Sequence, residues 1–246
     1  MLRVVLLIIA VNLFFPSLSK AQSTPAPLGV MATPNGSSLA MGESCYTITS
    51  QKDGKEQPMG YVFQSLISKQ LDGVDILEVI VHQHLLDRKF DMRDNFLLRR
   101  EDLRPIRLDT DRDGSPHVHL DYAANHVTGW KMVNGSKQPI DIQFDGPVWD
   151  GNLWGVTFAA LPLKEGASYQ LPTYQYDSGK GDFAITVTDQ RKVDTPKGTV
   201  DAWVLKAGLK PDEQVEYLIG QSPPMELGYI AGPMSQHIGG NCAGLR

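Results

Sequence analysis

The chain has 246 residues, with 23 Lys and Arg against 28 Asp and Glu, a formal net charge of −5, and 41% apolar residues. With 23 Gly, 16 Pro and 2 Cys it is neither collagen-like nor disulfide-dense, and its apolar content excludes a wholly disordered chain. The acidic balance argues against nucleic acid as a partner, because binding to phosphates needs clustered Lys and Arg.

At the N-terminus, Arg3 precedes the apolar run Val4 to Phe15, interrupted only by Asn12, and Pro16 and the small-residue site Ser19-Lys20-Ala21 follow. This order reads as a secretory signal peptide over residues 1–21, cleaved near Ala21. The run is shorter than the ~20 residues a bilayer span requires. The expected product is exported, periplasmic or extracellular, soluble, and without a transmembrane segment. Losing Arg3 and Lys20 takes the net charge from −5 to −7. Gln22 to Gly42 is rich in Pro, Ser, Gly and Thr and reads as a flexible leader over residues 22–42. Residues 43–246 read as a single antiparallel β domain. Cys45 and Cys242 stand near its two ends, and an oxidising compartment permits them to pair; two free thiols are the alternative.

Along this domain, β-branched and aromatic stretches alternate with the turn dipeptides Asp53-Gly54, Asp72-Gly73, Asp113-Gly114, Asn134-Gly135 and Lys197-Gly198. Asp-Gly and Asn-Gly tolerate the positive φ angles of tight hairpins, so a meander is expected. Strands are expected at Tyr61 to Lys69, Ile76 to Leu86, Phe96 to Arg100, Arg104 to Asp109, His117 to Tyr122, Val127 to Val133 and Ile140 to Phe144. Others follow at Tyr169 to Tyr176, Phe183 to Thr188, Thr199 to Lys206, Val215 to Ile219 and Glu226 to Ile230. Trp149 to Leu161 reads as the one helix, stopped by Pro162.

Successive side chains of a strand point to opposite faces. In His117 to Tyr122 this puts Val118, Leu120 and Tyr122 on an apolar face and His117, His119 and Asp121 on a wet one. Other strands are apolar on both faces: Tyr61, Phe63 and Ile67 against Val62 and Leu66, and Trp203 and Leu205 against Val200 and Val204. With a single helix available as cover, such a sheet has to curl over itself. The expected fold is mainly β, a strongly curved antiparallel sheet forming an incomplete barrel, with one short helix as lid or plug.

Few motifs carry chemistry. Asp109-Thr110-Asp111-Arg112-Asp113-Gly114 opens like a calcium loop, but its twelfth position is Leu120 and its flanks are strand-like, so a charged hairpin turn is favoured. His82 with His84, and His117 with His119, each put two imidazoles on one strand face; brought together, the four would suit a metal ion. A partly exposed polar face explains them without a ligand. From Asp87 to Asp113 eight acids, Asp94 among them, balance eight bases, which reads as cross-strand ion pairs on a solvent face. Nucleophile elbows, His-Glu-x-x-His motifs and phosphate-binding glycine loops are missing from the sequence, and no cofactor is implied.

Between Leu103 and Ala207, several features recur in a characteristic order. They are Leu103-Arg104-Pro105, a strand ending at Tyr122, Val127 opening the next strand, Phe144-Asp145, Leu161-Pro162-Leu163-Lys164-Glu165-Gly166, and the Tyr169 to Tyr176 strand. Val193-Asp194-Thr195-Pro196-Lys197-Gly198-Thr199 then leads into Asp201-Ala202-Trp203-Val204. This order resembles a family of exported bacterial proteins of unknown function. That family looks related in fold to the periplasmic carriers of lipoproteins, half-barrels with an apolar hollow under a helical lid. The resemblance implies a fold and no catalytic residues. The function expected is binding of an apolar or amphipathic ligand, lipid-like or a lipidated envelope protein, in the concave sheet. Candidate lining residues are Phe63, Trp130, Trp154, Tyr174, Trp203 and Tyr217. The alternatives are an envelope interaction module without a small ligand, and a metal-dependent hydrolase using His82, His84, His117 and His119.

Overall fold

The computed structural model describes residues 30–86 and 90–246. The signal peptide read over residues 1–21 lies outside the described residues, as do Asp87, Arg88 and Lys89. In chain order the strands are β1 (Val30–Met31), β2 (Gly42–Lys52), β3 (Lys55–Leu71), β4 (Val74–Leu85), β5 (Phe90–Arg99), β6 (Pro105–Arg112), β7 (Ser115–Ala123) and β8 (His126–Val133). They continue as β9 (Ser136–Gln143), β10 (Trp149–Asp150), β11 (Ser168–Gln175), β12 (Gly179–Thr195), β13 (Gly198–Gly208), β14 (Val215–Gln221), β15 (Pro224–Ala231) and β16 (Met234–Ile238). All belong to one sheet, ordered β1-β11-β12-β13-β14-β15-β16-β2-β3-β4-β5-β6-β7-β8-β9, with β10 paired only to β11. Two antiparallel meanders, β2 to β9 and β11 to β16, are thus stitched together by the β16–β2 ladder. β1 and β10 join β11 in parallel.

The sheet is curved and not closed. Its curvature follows from who shares the core: Leu120 on β7, Ile140 on β9, Leu171 on β11 and Leu205 on β13 belong to one buried cluster, although they are far apart in strand order. A flat layer would keep them separate. The four expected Asp-Gly and Asn-Gly hairpins form with both turn residues at positive φ, for example Asp113 at 51° and Gly114 at 73°, so the calcium-loop look-alike is a tight β6–β7 turn.

The second faces are covered by the chain itself. Cys45 and Cys242 are joined by a disulfide with Cα atoms 5.7 Å apart. This brings the C-terminal tail over Phe63, where Cys242 and Leu245 bury it. On β13 to β15, Leu205 and Ile219 face the main core, whereas Val204, Leu218 and Leu227 form a small cluster on the other face.

The structure departs from the sequence reading in three places. The helix expected over Trp149 to Leu161 is only α1 (Trp154–Ala159). Upstream, Trp149 and Asp150 pair with Thr173 and Tyr174, and the Asp150 carboxylate accepts the Asn152 backbone N–H at 2.8 Å, so a local side-chain bond displaces helix. The leader read as flexible over residues 22–42 is anchored from Val30: Met31 pairs with Gln170, Asn35 N–H donates to Ala160 O at 2.7 Å, and Leu39 is buried. Besides the short β1 and β10, the strands β2 and β16 lie outside the expected ones, and they form the seam between the meanders.

Candidate functional site

The hollow of the half-barrel is plugged by α1, whose residues Gly155 to Ala159 are all buried. On one side of the helix aromatic side chains pack closely. Trp154 stacks on Phe183 with centroids 3.8 Å apart, and Phe158 meets Phe183 at 5.4 Å and Tyr217 at 5.0 Å. On the other side a cavity of about 520 Å³ opens between Val156 and Ala159 of α1, Leu39 and Met41 of the leader, Leu66, Val200, Met225 and Ile238. Its polar lining includes Gln64 and Glu226, which also line a second cavity of about 190 Å³ with Trp154, Tyr217 and Tyr229.

Glu226 is the unusual residue here. It sits opposite Ile219 in the β14–β15 ladder and shares that residue's inward face, while its neighbour Leu227 packs on the outer one. Its carboxylate accepts Gln64 Nε2–H on Oε2 at 3.2 Å and Gln236 Nε2–H on Oε1 at 3.1 Å. Behind it the Tyr46 hydroxyl donates to Gln64 Oε1 at 3.3 Å and to the Glu226 carbonyl at 3.2 Å. Burial pushes the Glu226 carboxyl up to about 7, because removal from water penalises the charged form more than the Gln64 bond favours it.

The approach of α1 depends on a missing side chain. A Cβ built on Gly155 would overlap the Glu226 carboxyl. Gly155→Ala is therefore expected to destabilise the fold by about 1–3 kcal/mol by driving the carboxylate off its two amides, even though Ala is a better helix former than Gly by roughly 1 kcal/mol. Urea unfolding checks this, and the loss is expected to shrink when Glu226→Ala is made in the same chain.

A pair of buried acids lies between β5 and β10. Asp94 accepts the Thr110 hydroxyl at 2.6 Å, and Asp150 accepts the Tyr122 hydroxyl at 2.6 Å. Burial, with the neighbouring Asp150 charge adding to it, raises Asp94 to about 7, against the opposing Thr110 bond. Burial also raises Asp150. The solvent-facing role read for Asp94 is therefore corrected: only 7% of it is exposed.

The six aromatic residues expected to line one hollow do not share one. Trp154 and Tyr217 meet in the small cavity. Phe63 points to the outer face under the C-terminal tail, and Tyr174 is buried against Phe144 at 5.7 Å. Trp130 lies beneath Lys137 Nζ at 3.7 Å, and Trp203 lines a separate groove with Asn35, Leu163 and Pro224. Nor do the four histidines meet, since β5 and β6 separate β4 from β7. His82 Nε2 and His84 Nδ1 instead hold Asp91 at 2.8 and 3.1 Å, and His119 sits between Asp109 and Asp121 at 2.6 and 3.1 Å. Among the described residues no cluster of His, Cys, Asp and Glu is arranged to hold a metal ion.

Sequence reasoning missed Gln64, Glu226 and Gln236. The one available signal was the alternation Met225-Glu226-Leu227, which puts the acid on the opposite face from two apolar neighbours without saying which face is inside.

No curated protein matches the sequence. A solved structure is similar in fold: a β-barrel-like protein of the domain of unknown function DUF1849 from Brucella abortus, with 10% identity and a TM-score of 0.49, over 85% of this chain and 96% of that one. The model of a family described as protein of unknown function (DUF3108) matches residues 45–227, from the disulfide cysteine on β2 to the residue after Glu226, and the chain belongs to that family.

Proposed function

We propose that this is an extracytoplasmic, non-enzymatic binding protein that takes one small amphipathic ligand at the open end of its half-barrel. The observation that carries the reading is the 520 Å³ cavity, with apolar walls from Leu39, Leu66, Val156 and Met225 and a buried polar floor at Gln64 and Glu226. A few hundred Å³, mostly apolar with a small number of placed polar groups, is the usual make-up of a small-molecule site. The size argues for a single ligand tail rather than the several acyl chains of a lipidated partner. Export is supported by the basic-apolar start of the sequence and by the Cys45–Cys242 disulfide, since such bonds persist in oxidising compartments. An edge-pairing interaction module is disfavoured because the edge strand β9 carries Lys137 and Pro139, residues that discourage strand addition.

Uptake of the neutral dye N-phenyl-1-naphthylamine tests the reading. Fluorescence enhancement is expected in the native chain. It should be lost in Ala159→Trp, which fills the cavity from the helix, while Trp130→Ala leaves it unchanged. A native chain that takes up no dye, and releases no small molecule on denaturing extraction and mass spectrometry, overturns it.

A further inference from the structure

We infer that the cavity selects amphiphiles with a cationic head, such as a protonated amine, whose charge is met by Glu226. The inference rests on the binding reading above and names the class of ligand.

Three observations carry it. First, every side-chain hydrogen bond at the Glu226 carboxyl is donated to it: the Gln64 and Gln236 amides each give one N–H, and the Tyr46 hydroxyl holds Gln64 in that orientation. A neutral carboxylic acid would need an acceptor for its own proton, whereas a carboxylate is acceptor-only, so this donor set fits the charged form. Second, the charge is not balanced. Among the described residues no Lys, Arg or His pairs with the carboxylate, although it is buried. A buried carboxylate without a cation is strongly disfavoured, so a cation brought by a ligand gains more here than at an exposed acid. Third, Glu226 is one of the residues that line both cavities, with Gly155 of α1 packed against its carboxyl. A carboxylate has room for about four acceptor bonds, and the two amides leave positions to which an ammonium N–H can donate.

The apolar walls then set the rest of the ligand. An alkyl body would lie along Leu66, Val156 and Met225 toward the mouth, where Glu43 and Lys197 carry opposite charges and favour neither sign. A fatty acid seated tail-first, with its head at Lys197, is the competing arrangement.

Competition for the bound dye at pH 7.5 separates these cases with dodecylamine, dodecanol and dodecanoate, all below their micelle concentrations. Dodecylamine is expected to displace the dye about tenfold more tightly than dodecanol, the size of one charge-assisted hydrogen bond over a neutral one, and dodecanoate to be weakest. Glu226→Gln keeps the shape of the side chain, and should bring dodecylamine down to the level of dodecanol while dodecanol itself is unchanged. Should that variant fold poorly, Gln236→Leu, which loosens the carboxylate without removing it, is expected to keep the order of the three ligands. Equal affinities, or a preference for dodecanoate, in the native chain overturn the cation assignment and leave the binding reading standing. Failure of the dye and all three amphiphiles to bind overturns both.

Discussion

Acidification from pH 8 to pH 5 is expected to stabilise this protein by several kcal/mol, the reverse of what a surface rich in ion pairs suggests. Asp94 and Glu226 are buried acids whose carboxyls stand at about 7 in the folded chain, against ordinary values of 3.8 and 4.5. Between those values the folded state keeps protons that the unfolded state has released. The unfolded state therefore binds fewer protons, and stability falls as pH rises through the window from about 4 to 7. At about 1.4 kcal/mol for each tenfold change in proton affinity, the loss is on the order of 4 kcal/mol for Asp94 and 3 kcal/mol for Glu226. Asp150, also raised by burial, acts in the same direction. Three groups act the other way. At Asp91, burial is outweighed by His82 and His84, and at Asp121 by Arg107 and His119, so both carboxyls are held below the ordinary range; they titrate beneath this window and weaken the fold only in stronger acid. His117, lowered chiefly by burial, loses a smaller amount as it protonates. Urea midpoints at pH 5, 6.5 and 8 check the prediction. Asp94→Asn and Glu226→Gln should each flatten the profile, and a native midpoint that climbs from pH 5 to 8 would refute it.

These two acids also mark where the sequence stops being legible. Turns could be read because a positive φ at Asp-Gly is a local demand that no distant contact alters. Faces could be read wherever a strand alternates cleanly: Val118 and Leu120 are buried, and His119 on the other face binds carboxylates. The curl could be inferred from strands apolar on both sides, and both the curved sheet and the single short helix are present. Burial of a polar residue is different, because it depends on which strands become neighbours. Glu226 is buried by Gln64, 162 residues away, and by Gln236 on the next strand. Asp94 leaves the solvent face because the β5–β6 register places Thr110 directly opposite it. Strand β2 was missed because Thr47, Thr49 and Ser50 dilute its apolar signal, although Tyr46 and Ile48 are fully buried. The aromatic residues misled for a related reason: in strands they fill space, and here Tyr174 and Phe63 fill it on opposite sides of the sheet.

Removing the Cys45–Cys242 disulfide is expected to cost about 2–5 kcal/mol and to loosen the protein at one place first. The bond spans 197 residues, so in the loop-entropy account it removes on the order of 5 kcal/mol of unfolded-state freedom; native bridges usually deliver somewhat less. Location matters as much as size. The two meanders are joined along β16–β2 by only five residue pairs, from Met234 with Ser50 to Ile238 with Tyr46. The disulfide clamps that seam from outside, and it keeps the tail in place so that Leu245 covers Phe63 and its carbonyl meets His82 Nδ1 at 2.8 Å. Tight hairpins hold the other long ladders, whereas the partners at this seam come from opposite ends of the chain and must find each other across nearly its whole length. Their pairing therefore carries the largest loop-closure cost in the fold. With Cys45→Ala and Cys242→Ala together, hydrogen exchange should accelerate first in β2 and β16 and reach β6 to β8 only with global unfolding. Because Cys45 and Ile238 also line the larger cavity, dye uptake should fall before the far side of the barrel melts. Unchanged exchange at the seam together with an unchanged urea midpoint would show that the β16–β2 ladder holds the two halves together unaided.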